Sequence, residues 1–238
     1  MIFGLAVGAF LLLLVLAYIF RRQVFVLLET PITIAFHYLS YRGRTVWATT
    51  QWMGQPLLKW PCDLWIYQEI IHDSKPDLII ETGTNQGGSA LYYAHLLDLL
   101  GHGRVVSVDI AHPASGLPTH PRIEFLKGSS TAPEILSILS QKVRQAGRVM
   151  VILDSDHSQA HVARELELYS KFVTDQCYLV VEDTNVNGHP VWRSHGPGPM
   201  EAVLDFLKKN PAFIADRSKE RYKMTLNPHG WLRRADTR

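Results

Sequence analysis

The stretch over residues 78–91, LIIETGTNQGGSAL, most constrains what this chain can become. An apolar run ends in an acid, breaks at a glycine-rich turn and opens a helix. That is the strand–turn–helix start of a doubly wound α/β sheet, in which ligands bind beyond the carboxyl ends of the strands. Gly83, Gly87 and Gly88 permit a tight turn and a close approach of backbone to ligand. The helix that follows offers free N–H groups to an anionic group. A dinucleotide fingerprint, G-x-G-x-x-G, requires glycine at position 85, which is Asn85 here. A glycine turn alone serves packing as readily as binding. Asp109, 28 residues after Glu81, ends the next apolar run. An acid there can accept both hydroxyls of a ribose. Turn and acid together point to a nucleoside-containing cofactor.

From Pro76 onward, apolar runs alternate with helical spacing, the pattern of parallel strands joined by helices. Strands are expected over 78–81, 105–109, 123–126, 149–153 and 178–181, and helices over 88–100, 132–146, 158–173 and 200–209. Apolar positions 64, 66, 67, 70 and 71 add a helix over 63–74 that covers the sheet. Thr131 is the expected N-cap of the helix carrying Glu134. Residues 213–216, 223–226 and 230–233 read as a closing hairpin-like pair. The fold class is α/β, with a doubly wound, mostly parallel, Rossmann-like sheet.

The N-terminus has a different character. Residues 2–20 form 19 uncharged positions, enough to cross about 30 Å of hydrocarbon as a helix. Arg21 and Arg22 follow, and the positive-inside rule places the remainder in the cytoplasm. The expectation is a single-pass transmembrane anchor over 1–22, a membrane-proximal arm over 23–63 and a catalytic domain over 64–238. Within the arm, 23–41 reads as a helix lying along the bilayer or packing on the domain. Residues 42–63, with three tryptophans, read as an irregular segment folded over the active face. The net charge of +2 gives no reason to expect a nucleic-acid partner. Cys62 and Cys177 are too few for a disulfide framework and suit a reducing compartment. Homo-oligomerisation stays open.

Four strands end in acid: Glu81, Asp109, Asp154 and the pair Glu182–Asp183. In a parallel sheet those ends share one edge, and crowded carboxylates need a cation. One such acid would serve as a helix cap; a converging set favours a metal. Asp154, Glu182 and Asp183, with Asp156 nearby, offer hard oxygen ligands suited to Mg²⁺. His157, in the turn leaving the fourth strand, is positioned to take a proton from a metal-bound hydroxyl. His161 lies four residues further on, with no third ligand to make a zinc site. The chain has no H-x-D or H-x-E, which weighs against a self-sufficient non-haem iron oxygenase. The long loop over 184–199, with Trp192, Arg193 and His195, is placed to close over a substrate.

Residues 52–234 resemble the cephalosporin hydroxylase family. The likeness is carried by Trp52 and Gly54, KWPCD at 59–63, PDLIIETGTNQGGSA at 76–90, VDI at 108–110, LDSDHS at 153–158, VEDT at 181–184, GPGPM at 196–200 and the ending at 230–233. The resemblance implies an S-adenosylmethionine-dependent methyltransferase fold, related to magnesium-dependent sugar O-methyltransferases, rhamnosyl ones among them. It implies that Glu81, Gly83 and Ser89 hold the methionine end of the cofactor, Asp109 the ribose, and Ser129 and Ser130 the adenine side. It implies a metal triad of Asp154, Glu182 and Asp183, with Asp156 as the alternative first ligand, and His157 as general base. The expected activity is O-methylation of a sugar, glycolipid or related metabolite, using S-adenosylmethionine and Mg²⁺. A hydroxylase-type function with a redox partner, or a membrane-tethered cofactor-binding module, are the alternatives that cofactor titration with and without Mg²⁺ separates.

Overall fold

The computed structural model describes residues 2–42 and 47–236. In chain order these contain α1 (Ile2–Ile19), α2 (Arg21–Tyr41), β1 (Gln51–Trp52), β2 (Gln55–Pro56), α3 (Pro61–Ser74), β3 (Leu78–Thr82), α4 (Gly88–Leu100) and β4 (Arg104–Asp109). There follow β5 (Ile123–Lys127), α5 (Pro133–Val143), β6 (Val149–Leu153), α6 (Gln159–Tyr169), β7 (Tyr178–Val181), α7 (Pro199–Lys209), β8 (Phe213–Ala215) and β9 (Trp231–Arg234).

Seven strands form one sheet in the order β5-β4-β3-β6-β7-β9-β8. Pairs from β5 through β7 are parallel, and β9 runs antiparallel to both of its neighbours. The chain starts at β3, steps outward to β4 and β5, then returns to the other side of β3 with β6. That reversal opens a crevice at the carboxyl ends of β3 and β6. Their register pairs Thr82 with Leu153, so Gly83 and Asp154 leave the sheet side by side.

Alternate residues of each strand serve opposite layers, as a period of two requires. Leu78, Ile80, Val106 and Val151 pack with α5, α6 and α7 residues such as Leu139, Leu166 and Val203. Ile79, Val105, Met150 and Ile152 face Ile70 of α3 and Tyr93 of α4. Helices on both faces are why these strands read as continuous apolar runs. Gly101 ends α4 in the left-handed region, its N–H bonded to the Asp98 carbonyl.

Three details differ from expectation. The N-cap of α5 is Ala132, with no side-chain cap; the Thr131 hydroxyl pairs instead with Ser129 Oγ at 3.1 Å. Residues 223–226 form no strand, because the Leu226 N–H is committed to Asp63 Oδ2 at 2.9 Å rather than to a sheet neighbour. The larger correction concerns the N-terminus. Among the described residues no helix is long and apolar enough to cross a membrane. The uncharged run does not continue as one helix: α1 stops at Ile19 after 18 residues, about 27 Å at 1.5 Å per residue, and α2 begins at Arg21. The transmembrane anchor and the cytoplasmic placement inferred from Arg21 and Arg22 both fall with it, since the positive-inside rule orients spans.

The C-terminal end of α2 packs on the α/β domain. His37 and Ser40 are buried. Asn185 Nδ2 lies 3.2 Å from His37 Nδ1 and donates to Tyr41 Oη at 3.2 Å. Tyr38 Oη donates to the Pro190 carbonyl. The arm tryptophans diverge. Trp52 donates to His95 Nδ1 at 2.8 Å and stacks edge-on against Tyr92. Trp60 meets Phe36 of α2. Trp47 faces the crevice.

Candidate active site

A cavity of about 800 Å³ occupies the crevice beyond β3, β4, β6 and β7, within the range for ligand pockets of roughly 300–1,000 Å³. Gly83 opens it. A Cβ at that position would lie 1.8 Å from the Asp154 carbonyl oxygen, and φ is +89°, so only glycine lets the β3 and β6 ends come this close.

One side of the cavity is lined by Asn85, Asp109, Ile110, Ser129, Ser130 and His161. Asp109 ties two strand ends together. Its Oδ2 accepts the N–H groups of Thr84 at 2.8 Å and Asn85 at 3.1 Å, and Oδ1 accepts that of Ala111. Oδ2 is thereby saturated, and Oδ1 retains a further lone pair. Ser130 Oγ sits 3.2 Å from His161 Nε2. Glu81 and Ser89 are buried, and neither lines the cavity. Glu81 Oε2 accepts from Ser107 Oγ at 2.6 Å, while Oε1 has no partner among the described residues. Burial pushes this carboxyl up to about 7 against the pull of Lys59.

The middle of the cavity holds the charges. Asp154, His157 and Asp183 bring ligating atoms within 4.8 Å of one another. His157 Nε2 is 2.7 Å from Asp183 Oδ2 and 3.9 Å from Asp154 Oδ1. Asp183 is held in the left-handed region at φ 53°, its N–H donated to Asn227 Oδ1; such a conformation in a non-glycine residue concentrates at functional sites. Glu182 lines the same cavity, but its Oε1 is taken by Lys59 Nζ at 2.5 Å and Tyr67 Oη at 2.6 Å. Lys59 also donates to Asp154 Oδ2 at 2.8 Å. Asp156 lines the cavity but stands outside this cluster: it is exposed, and its Oδ1 accepts the Ser158 N–H at 2.7 Å.

Burial works against the charges of Glu182, Asp154, His157 and Lys59. It raises Glu182, with the nearby charge of Asp154, to about 8 despite Lys59. It raises Asp154 as well, against Lys59. Burial pulls the His157 imidazole down, yet the Asp183 hydrogen bond and the charges of Asp183, Asp154 and Glu182 outweigh it and carry it up to about 9. Lys59 stays charged for the same reason. The carboxylates of Asp154, Asp183 and Glu182 are hard oxygen donors with no thiolate among them, a set that fits Mg²⁺.

Of the expected site residues, the cavity brings together Gly83, Asp109, Ser129, Ser130, Asp154, Asp156, His157, Glu182 and Asp183. Three contributors were not anticipated: Lys59, Tyr67 and Tyr41. Lys59 lies within the KWPCD segment, so its motif was visible although its burial was not. Tyr67 reads simply as a helix core residue.

The rhamnosyl O-methyltransferase/CmcI family matches residues 44–235. A rhamnosyl O-methyltransferase of Mycobacterium leprae (strain TN) is 41% identical over 200 residues, covering 81% of this chain and 86% of the relative. One from Mycobacterium bovis (strain BCG / Pasteur 1173P2) is 37% identical over 219 residues, covering 90% and 89%. Among solved structures, an apo structure of CmcI gives a TM-score of 0.61 at 20% identity, covering 80% of this chain and 78% of that one. A CmcI structure with Mg and SAM gives 0.60 at 20% identity, covering 79% and 78%. These two likenesses establish the shared mostly parallel fold. The sequence match runs through every strand from β3 to β9, and on that ground the chain belongs to the rhamnosyl O-methyltransferase/CmcI family.

Proposed function

We propose that this protein is an S-adenosylmethionine- and Mg²⁺-dependent O-methyltransferase acting on a sugar hydroxyl. The observation that carries this reading is one cavity in which the Asp154–His157–Asp183 cluster adjoins the Asp109 and Ser129–Ser130 wall. The names of the curated relatives, rhamnosyl O-methyltransferases, support the sugar acceptor, and the CmcI structure with Mg and SAM supports the cofactors.

In this reading Asp109 holds the ribose, Ser129 and Ser130 border the adenine, and Gly83 gives the cofactor its close approach to backbone. The family resemblance is what gives Glu81 and Ser89 the methionine end, since both are buried and neither lines the cavity. Asp154, Asp183 and Glu182 would hold the divalent ion, Asp154 rather than Asp156 being first, because Asp156 is occupied capping the turn. Bound together, the two groups supply an electrophilic methyl and a Lewis acid for the acceptor oxygen. His157 accepts the hydroxyl proton at Nε2 only once Asp183 Oδ2 is engaged elsewhere, since the bond between them holds the imidazole protonated. Placing both reactants side by side in one crevice supplies much of the acceleration.

Calorimetric titration of S-adenosylhomocysteine, with methyl transfer followed by mass spectrometry, tests this. The cofactor product is expected to bind, and transfer to require Mg²⁺ and to fall at least about 100-fold in Asp183→Asn and in His157→Ala. Failure to bind S-adenosylhomocysteine, or transfer that persists in excess EDTA, overturns the reading.

A further inference from the structure

The far side of the cavity is aromatic, and part of it comes from outside the segment that matches the family. Tyr41 ends α2 and precedes residue 44, where the family match begins. It lines the cavity with Trp47 and with Trp192 of the 184–199 loop. Tyr41 and Trp192 stand at 88° with centroids 5.1 Å apart, and Trp47 tilts 38° to Tyr41 at 5.7 Å. Trp192 is 43% exposed and held at φ 53°, an unusual backbone state for a bulky residue. An indole left this bare on a cavity wall has unused face.

The shape of this wall selects among acceptors. Rings that meet at a right angle make a corner, in which a flat aromatic acceptor stacks offset on one ring and gives the other only its edge. A puckered ring with an apolar C–H face and polar edges fits a corner, its C–H groups on the electron-rich faces and its hydroxyls toward Asp154, Asp183 and His157. The corner is also tied mechanically to the charge cluster. Asn185, two residues beyond Asp183, donates to Tyr41 Oη and contacts His37, while Tyr38 holds the Pro190 carbonyl two residues before Trp192.

We propose that Tyr41, Trp47 and Trp192 form the acceptor subsite, a platform for the apolar face of a pyranose ring, with α2 supplying one wall of it. This rests on the sugar methyltransferase reading above and assigns its specificity to residues outside the charge cluster. The test uses the full chain loaded with S-adenosylhomocysteine and Mg²⁺, titrated with methyl α-L-rhamnopyranoside and, separately, with catechol, a flat diol, while tryptophan fluorescence is followed. The rhamnoside is expected to bind more tightly than catechol. Its affinity is expected to fall about tenfold in Trp192→Ala and in Tyr41→Ala and to be largely kept in Tyr41→Phe, which preserves the ring. Affinity for S-adenosylhomocysteine should be unchanged in Trp192→Ala, which also shows that the variant is folded. Unchanged rhamnoside affinity in Trp192→Ala, no rhamnoside response in the wild type, or tighter binding of catechol overturns the platform. Failure of the wild type to bind S-adenosylhomocysteine overturns the methyltransferase reading beneath it, so the two failures are distinct.

Discussion

Burying an ammonium group as completely as Lys59, 3% exposed, costs several kcal/mol unless ion pairs offset it. Here Asp154 and Glu182 provide the offset, and Tyr67 satisfies Glu182 further. Lys59→Met removes the cation and leaves two buried carboxyls to bear the loss. At pH 8 the expected destabilisation is about 3–5 kcal/mol. At pH 6 it is smaller, because Glu182, already raised to about 8 with Lys59 present, is neutral there and needs no counter-ion. Urea unfolding of the metal-free protein at both pH values checks this; equal losses would count against an ionic role. The acids of this site were readable in the sequence because strand ends in a parallel sheet must converge, whatever else the chain does. Lys59 was not, because it sits 123 residues from Glu182 in a segment without periodicity, and nothing local marks a lysine as buried. Asp154 and Asp156 likewise differ only in where the turn after β6 points them.

At the scale of elements, the tightest constraint is the approach of β3 to β6. Gly83→Ala combines a left-handed φ, costing roughly 1–2 kcal/mol, with a Cβ driven into the Asp154 carbonyl, which adds roughly 1–3 kcal/mol of overpacking. Because the clash falls on Asp154 itself, metal affinity should drop along with stability. Gly101→Ala is the matched control: φ is +79° and no atom lies within 4 Å, so only the conformational cost remains. Thermal melts with and without Mg²⁺ separate the two, and equal Tm losses would show that the close approach is not tight. The β3–turn–α4 unit was legible because strand period, glycine turn and helix period all agree over 78–100. The N-terminal helices were not. A long uncharged run reads the same whether or not it stays one helix, and here it breaks at Phe20. The docking of α2 depends on Asn185 and Pro190, far along the chain.

For the whole molecule, burial of like-charged groups at one sheet edge sets how stability follows pH. Asp63 and Glu81 are raised to about 7, Glu182 to about 8 and His157 to about 9, burial being the first cause for the three acids and carboxylate partners overcoming it for His157. Each group binds its proton more tightly folded than unfolded, so stability falls as pH rises wherever the folded chain still holds protons that the unfolded chain has lost. For the acids that stability is complete below about 4 and is lost as pH climbs through 7 to 8. For His157 it is complete below about 6.5 and is lost through about 9. His37, lowered to about 4 by burial, acts in the opposite sense only below about 6.5, so between pH 6.5 and 8.5 all four groups pull together. In EDTA the urea midpoint is therefore expected to be lower at pH 8.5 than at 6.5, with roughly 1–2 kcal/mol from each buried acid. Mg²⁺ favours the ionised carboxylates and should narrow the gap, mainly at the upper pH. Asp63→Asn, whose carboxyl holds the Leu226 N–H and is none of the expected ligands, should remove one acid's share and leave most of the Mg²⁺ effect. A midpoint that stays level or rises toward pH 8.5 would mean that these carboxyls are already paired or hydrated in the metal-free protein, and that the rim does not need a cation to remain together.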